Sequence, residues 1–119
     1  FLYMVETDEK GGHDNGWMSD AYLDYINCAV SKVKRVIEET NGEYIVIVTA
    51  DHGGHGRAHG SDIDEDMTIP MIFYGSQFVP GKELGGVSIL DIAPTIADIM
   101  GVAPAKEWEG KSLVRDENV

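Results

Sequence analysis

The chain has a single cysteine, Cys28, and only nine lysines and arginines against 21 aspartates and glutamates. One cysteine excludes an internal disulfide. On the helix assigned below, Cys28 is expected to behave as a small buried hydrophobe. The formal net charge of -12 argues against nucleic acid or an anionic membrane surface as a partner, because both reward a basic patch. Bound divalent cations would offset part of that acidity. No apolar run approaches the roughly 20 residues of a bilayer-spanning helix, and the basic and long apolar regions of a signal peptide are missing. At 43% apolar content the chain is not disordered by composition, and its 119 residues, without repeats or low-complexity tracts, fit one domain. The opening Phe1-Leu2-Tyr3-Met4-Val5 has no initiator methionine and no lead-in, so further residues are expected before Phe1.

The chain has four histidines, and their placement is the most informative feature. All four histidines fall in two glycine-rich segments, Asp8-Glu9-Lys10-Gly11-Gly12-His13 and Asp51-His52-Gly53-Gly54-His55-Gly56-Arg57-Ala58-His59-Gly60. Each segment opens on an aspartate that follows an apolar run. Imidazole and carboxylate together suit zinc or manganese, and glycine lets the backbone turn sharply beside an ion.

Periodicity places these segments. Phe1 to Thr7 is apolar almost without alternation, which predicts a strand covered on both faces. Ser19 is placed to cap a helix over about 20–40, with Asp20 in its first turn. Tyr22, Tyr25, Ile26, Ala29, Val33, Val36 and Ile37 form its apolar stripe. Asn41-Gly42 ends that helix in a left-handed cap. Tyr44 to Ala50 predicts a central parallel strand and Ile69 to Tyr74 a third strand, with Pro70 near its start. Residues 75–87 form a turn-rich connection or short hairpin. A last helix spans about 91–100, with Asp91 preferred as its N-cap over a Ser88/Asp91 capping box because Asp91 puts Pro94 in the first turn. Gly101 ends it, and residues 104–119 are extended and polar. The order of elements predicts an α/β layered sandwich with a largely parallel sheet.

In such sheets the functional crevice lies outside the carboxyl ends of the strands. Asp8 and Asp51 would meet at that edge, with His52 beside Asp51 and His13 five residues beyond Asp8. His59 would return from the glycine-rich loop to complete one shell. Two ions about 3.5–4 Å apart stabilise the attacking and leaving oxygens of a displacement at phosphorus. His55 is most simply a polar loop residue. Gly110-Lys111-Ser112 resembles the end of a P-loop but lacks the earlier glycine and the strand. Asp14-Asn15-Gly16 marks a turn. The acidic run Asp62, Asp64, Glu65 and Asp66 lacks EF-hand spacing and is expected to be solvated loop.

These motifs resemble the alkaline phosphatase superfamily, especially its type I phosphodiesterase/nucleotide pyrophosphatase and sulfatase-like branch. The matching elements are Asp8…Gly12-His13, Thr49-Ala50-Asp51-His52-Gly53, His59-Gly60, Ile69-Pro70-Met71-Ile72, Asp91-Ile92-Ala93-Pro94-Thr95-Ile96, Gly101 and Trp108-Glu109-Gly110-Lys111-Ser112-Leu113. They cover nearly all of the chain in order, as the C-terminal part of one such domain spanning 1–119. The resemblance implies that Asp8, His13 and His59 hold one metal and that Asp51 and His52 belong to a second. It also implies a further aspartate and a Thr or Ser nucleophile upstream of Phe1, so that no catalytic nucleophile is present here and the chain alone has little activity. The family places its first aspartate four residues before the histidine. Glu9 has that spacing, but Asp8 is favoured, with one glycine as an insertion. Histidine at position 52, where true sulfatases have asparagine, favours two zinc or manganese ions over calcium.

The expected function is therefore metal-dependent hydrolysis of phosphate mono- or diesters, with zinc first and manganese as the alternative, acting on a small phosphate ester. A sulfatase is the nearest enzymatic rival. A metal-dependent phosphoglycerate mutase shares the architecture but fits the Trp108–Leu113 tail less well. A non-catalytic metal-binding module is the rival of a different class. A truncated sheet would leave an unpaired edge, so the isolated chain is expected to self-associate.

Overall fold

The computed structural model describes residues 1–114. The chain divides into two units, Phe1–Ile72 and a second beginning at Phe73. In the first unit, α1 runs over Asp20–Glu39. Ser19 starts it as the sequence predicts, its hydroxyl accepting from the Tyr22 N–H at 3.1 Å. Asn41 and Gly42, at φ 46° and 77°, end it in the left-handed region. Most of the apolar stripe is half-buried, but Val36 is exposed, and so is Cys28, contrary to its expected burial.

The residues before α1 differ most from expectation. Phe1 to Thr7 is not a strand. Residues 1–5 are irregular, Phe1, Leu2 and Tyr3 are exposed, and the Val5 carbonyl accepts from the N–H groups of Asp8 and Glu9 at 3.1 and 3.0 Å. A strand exists through its neighbours, and this run has none among the described residues. The chain instead winds into a π-helical segment, Thr7–Asp14, which packs on α1. Gly11 permits the close approach, since a Cβ there would stand 3.1 Å from Tyr22 Cδ2. Lys32 of α1 adds a surface ion pair to Glu6 at 2.9 Å, which holds the Glu6 carboxyl below its usual range.

Trp17 joins this segment to the second glycine-rich one. Its backbone N–H donates to the Gly56 carbonyl at 2.7 Å. Its indole fills the space where a Cβ on Gly12 would lie 2.4 Å from Cη2 and a Cβ on Gly54 2.2 Å from Cε2. Both glycines are therefore required by the ring between them, not by their torsions.

The strand β1, Val46–Thr49, and β2, Met71–Tyr74, form a two-stranded sheet, and the boundary between the units falls within β2. Helix and strand alternate as expected for an α/β chain, while the larger sheet predicted from sequence is not seen among the described residues. The acidic run is not simple loop: Asp64–Met67 forms a short helix, α2, with Asp66 buried. Gly53 and Gly54 donate their N–H groups to the carbonyls of Asp66 and Glu65 at 2.7 and 2.8 Å.

In the second unit Phe78 is buried against Phe73, with ring centroids 4.9 Å apart. Residues 75–87 contain turns and no strand. The preferred Asp91 cap is corrected: Ser88 and Asp91 form the capping box of a 3₁₀ turn, Ile89–Asp91, from which α3, Ile92–Ile99, continues. Asp91 stands at the N-cap position of α3 without a side-chain cap bond, and Pro94 falls in the first turn of α3, where no donor is lost. The inserted turn satisfies both signals at once. Buried Asp91 also accepts the Lys111 N–H at 2.9 Å, and Thr95 accepts the Leu113 N–H at 2.9 Å. The P-loop-like Gly110-Lys111-Ser112 is thus a strap on α3. Of the extended tail expected over 104–119, the last five residues lie outside the described ones.

Trp17→Ala should lower stability by about 3 kcal/mol, the low end for tryptophan because the ring is half-buried, as read by urea denaturation. The backbone N–H bonds from Lys111 and Ser88 hold the Asp91 carboxyl below its usual range. That stabilisation is fully present above the unfolded carboxylate value of about 3.9 and is lost as pH falls below it. Asp91→Asn should therefore cost roughly 1–2 kcal/mol near neutrality, and the difference from wild type should shrink as the medium is acidified below about pH 4.

Candidate metal centre

The π-helical segment positions the first pair of side chains. In an α-helix, at about 100° per residue, a residue five positions on points roughly 140° away from the first. A π-turn closes after five residues, so Asp8 and His13 return to the same side. His13 Nε2 lies 3.7 Å from Asp8 Oδ1. The extra residue between them is absorbed by the wider turn, and Asp8, not the exposed Glu9, faces His13.

The glycine-rich loop after β1 supplies the rest. His52 Nε2 and His59 Nε2 each lie 3.7 Å from the same Asp8 Oδ1. The two rings stack with centroids 3.7 Å apart and 15° between planes. Potential ligand atoms of Asp8, His13 and His59 all lie within 4.8 Å of one another, the one group of three such residues among those described. Asp51 does not join it. Its side chain is 72% exposed and lies 3.7 Å from His52 Nε2.

Two observations show that this cluster fits a divalent ion. Asp8 Oδ1 is buried without a hydrogen-bond partner, although three imidazole nitrogens surround it. A distance of 3.7 Å is too long for a hydrogen bond, yet ligands about 2.1 Å from a shared tetrahedral ion stand roughly 3.4 Å apart. The imidazoles are also turned the right way. His13 Nδ1 meets the Arg57 carbonyl at 2.9 Å and His52 Nδ1 the Gly53 carbonyl at 2.7 Å. A carbonyl only accepts, so each Nδ1 carries a proton, and Nε2, on the Asp8 side, is the ring atom left for a metal. Burial, and then the nearby Asp8 charge, raise the pKa of the Tyr22 phenol.

Sequence reasoning missed two residues here. Trp17 places its ring edge-on to His13 at 5.1 Å and to His59 at 5.8 Å. The glycines were read only as sharp turns beside an ion, and nothing marked this tryptophan as their neighbour. Buried Asp66, assigned to solvated loop, instead binds His55 Nδ1 at 2.8 Å and both the N–H and hydroxyl of Ser61 at 2.8 and 2.7 Å. The His55 bond, followed by the Ser61 bonds, holds the Asp66 carboxyl down to about 2 despite its burial. His55 is therefore not a free loop residue.

Comparison with known proteins identifies the family. The model of the Metalloenzyme superfamily matches residues 1–104. The chain is 32% identical over 103 residues to a phosphopentomutase of Alkaliphilus metalliredigens, covering 86% of this chain and 26% of that protein. It is 29% identical over 121 residues to a 2,3-bisphosphoglycerate-independent phosphoglycerate mutase of Hydrogenovibrio crunogenus, covering 96% and 22%. A phosphopentomutase of Clostridium novyi is 29% identical over 117 residues, covering 98% and 29%. The chain thus spans about a quarter of the length of these relatives. No solved structure matches it. The relatives are mutases, the branch that the tail motif had ranked behind phosphodiesterases and sulfatases. With a family match over most of its length and a histidine–carboxylate cluster suited to a divalent ion, this chain belongs to the alkaline phosphatase-like Metalloenzyme superfamily, whose members are metal-dependent phosphoryl-transfer enzymes.

Proposed function

We propose that this chain provides the metal-holding part of a phosphomutase-like enzyme, with Asp8, His13 and His59 as ligands of one divalent ion. The buried, unpaired Asp8 Oδ1 among three imidazoles carries this reading. Asp51 and His52 are proposed for a second ion. His52 is already 3.7 Å from Asp8, while Asp51 would have to turn in from solvent. One carboxylate oxygen and neutral imidazoles suit zinc, with manganese as the alternative. A bound ion supplies charge neutralisation for the oxygens of a transferred phosphoryl group. The chain's own contribution is to hold His13 and His52 with Nε2 toward Asp8 through carbonyl contacts at Nδ1, and to wall one side of the cluster with Trp17.

A small phosphate ester is the proposed substrate. The mutase relatives favour transfer of the phosphoryl group within a phosphosugar or phosphoglycerate over its release to water. The hydrolytic reading rests on the motif resemblance and is distinguished by product. Interconversion of phosphopentoses or phosphoglycerates without equivalent phosphate release supports the mutase. Stoichiometric phosphate release from aryl phosphates supports the hydrolase.

Calorimetric titration of the metal-depleted chain with zinc and with manganese tests the site. Wild type and Glu9→Gln should bind equally, while Asp8→Asn and His59→Ala should lose tight binding. Affinity should fall on acidification because the ligands must be deprotonated. Equal binding by Asp8→Asn and wild type would sink the assignment. The exposed Phe1, Leu2, Tyr3 and Val30 support the proposed self-association of the isolated chain, for which light scattering should give a mass above that of one chain. A monomer at high concentration would reject it.

A further inference from the structure

Asp66 touches the histidine loop at three places. Its carbonyl accepts the N–H of Gly53, the residue after His52, at 2.7 Å. Its Oδ1 meets His55 Nδ1 at 2.8 Å, three residues after His52 and four before His59. Its Oδ2 accepts both the N–H and the hydroxyl of Ser61, two residues after His59, at 2.8 and 2.7 Å. The side chain making these bonds is 1% exposed. Between the attachments the loop folds on itself, with His55 and Ala58 exchanging backbone hydrogen bonds at 3.0 and 2.9 Å around Gly56-Arg57. The carbonyls at that tip receive the Trp17 N–H and the His13 ring.

We infer that Asp66 is a positioning residue for the metal centre: one buried carboxylate clamps both flanks of His59 and so fixes its imidazole against His52 and toward Asp8. The inference rests on the proposed metal site, yet Asp66 itself touches no proposed ligand side chain. Four bonds converge on this residue from one loop, whereas a carboxylate serving only helix capping would bond its own first turn. Asp66 is outside the Asp8, His13 and His59 group, and its carboxylate accepts from His55 and Ser61, so it acts through the chain that carries His59.

The test uses the 119-residue chain, with Asp66→Asn, Ser61→Ala and His55→Ala as variants and far-UV circular dichroism as the check on folding. Two readouts are followed: the zinc dissociation constant, and the proton shifts of the His59 ring without metal, which are displaced by stacking on His52 and by the Trp17 edge. Folded Asp66→Asn should bind zinc about 10-fold more weakly, the low end for loss of an outer partner because Asp66 acts through the backbone of His59, and its His59 shifts should move toward those of a free imidazole. His55→Ala combined with Asp66→Asn should cost less than the sum of the two, because they share one bond. Unchanged affinity and unchanged His59 shifts in folded Asp66→Asn would overturn the inference. If that variant does not fold, Ser61→Ala decides by the same readouts: a weakening of about threefold or more is expected, and none overturns the clamp. Should wild type bind no metal, the metal reading fails by itself, and the His59 shifts still decide whether Asp66 holds the ring.

Discussion

A single carboxylate oxygen, Asp8 Oδ1, organises the first unit. Three imidazole nitrogens stand 3.7 Å from it and none hydrogen-bonds to it. Such an arrangement is sustained only if the surrounding structure holds each group in place. The carbonyls of Arg57 and Gly53 do so for His13 and His52, and the Trp17 indole fixes the two backbones against each other. A divalent ion would join the Asp8 oxygen to the His13 and His59 nitrogens, which already lie within 4.8 Å of one another.

The local signals in the sequence were legible where physics is local. Ser19, the α1 stripe, Asn41-Gly42 and Gly101 each act within a few residues, and each stands where the sequence puts it. Pro94 was placed in the first turn for the right reason, although the 3₁₀ turn that reconciles it with the Ser88 box could not be seen from spacing alone. The opening run failed because a strand is a relation between neighbours, and apolar composition does not say whether a neighbour is present.

Long-range partners were the harder part. Nothing near Asp66 distinguishes it from Asp62, Asp64 or Glu65, and only the fold shows that His55 and Ser61 close on it. Trp17 was hidden in the same way, since the ring that explains Gly12 and Gly54 lies five residues from one and far from the other in sequence. The histidines were legible because their chemistry is rare and clustered. Their assignment to Asp8 over Glu9 needed the unusual helical turn.

That turn couples winding to occupancy. A π-turn competes with the ordinary α-turn, and a slip from one to the other would swing His13 roughly 140° away from Asp8. Any ion shared by these two residues binds only the wide register, so its binding free energy is also a free energy of helical register over Thr7–Asp14. Metal loading would act there as a pin through the winding of the chain.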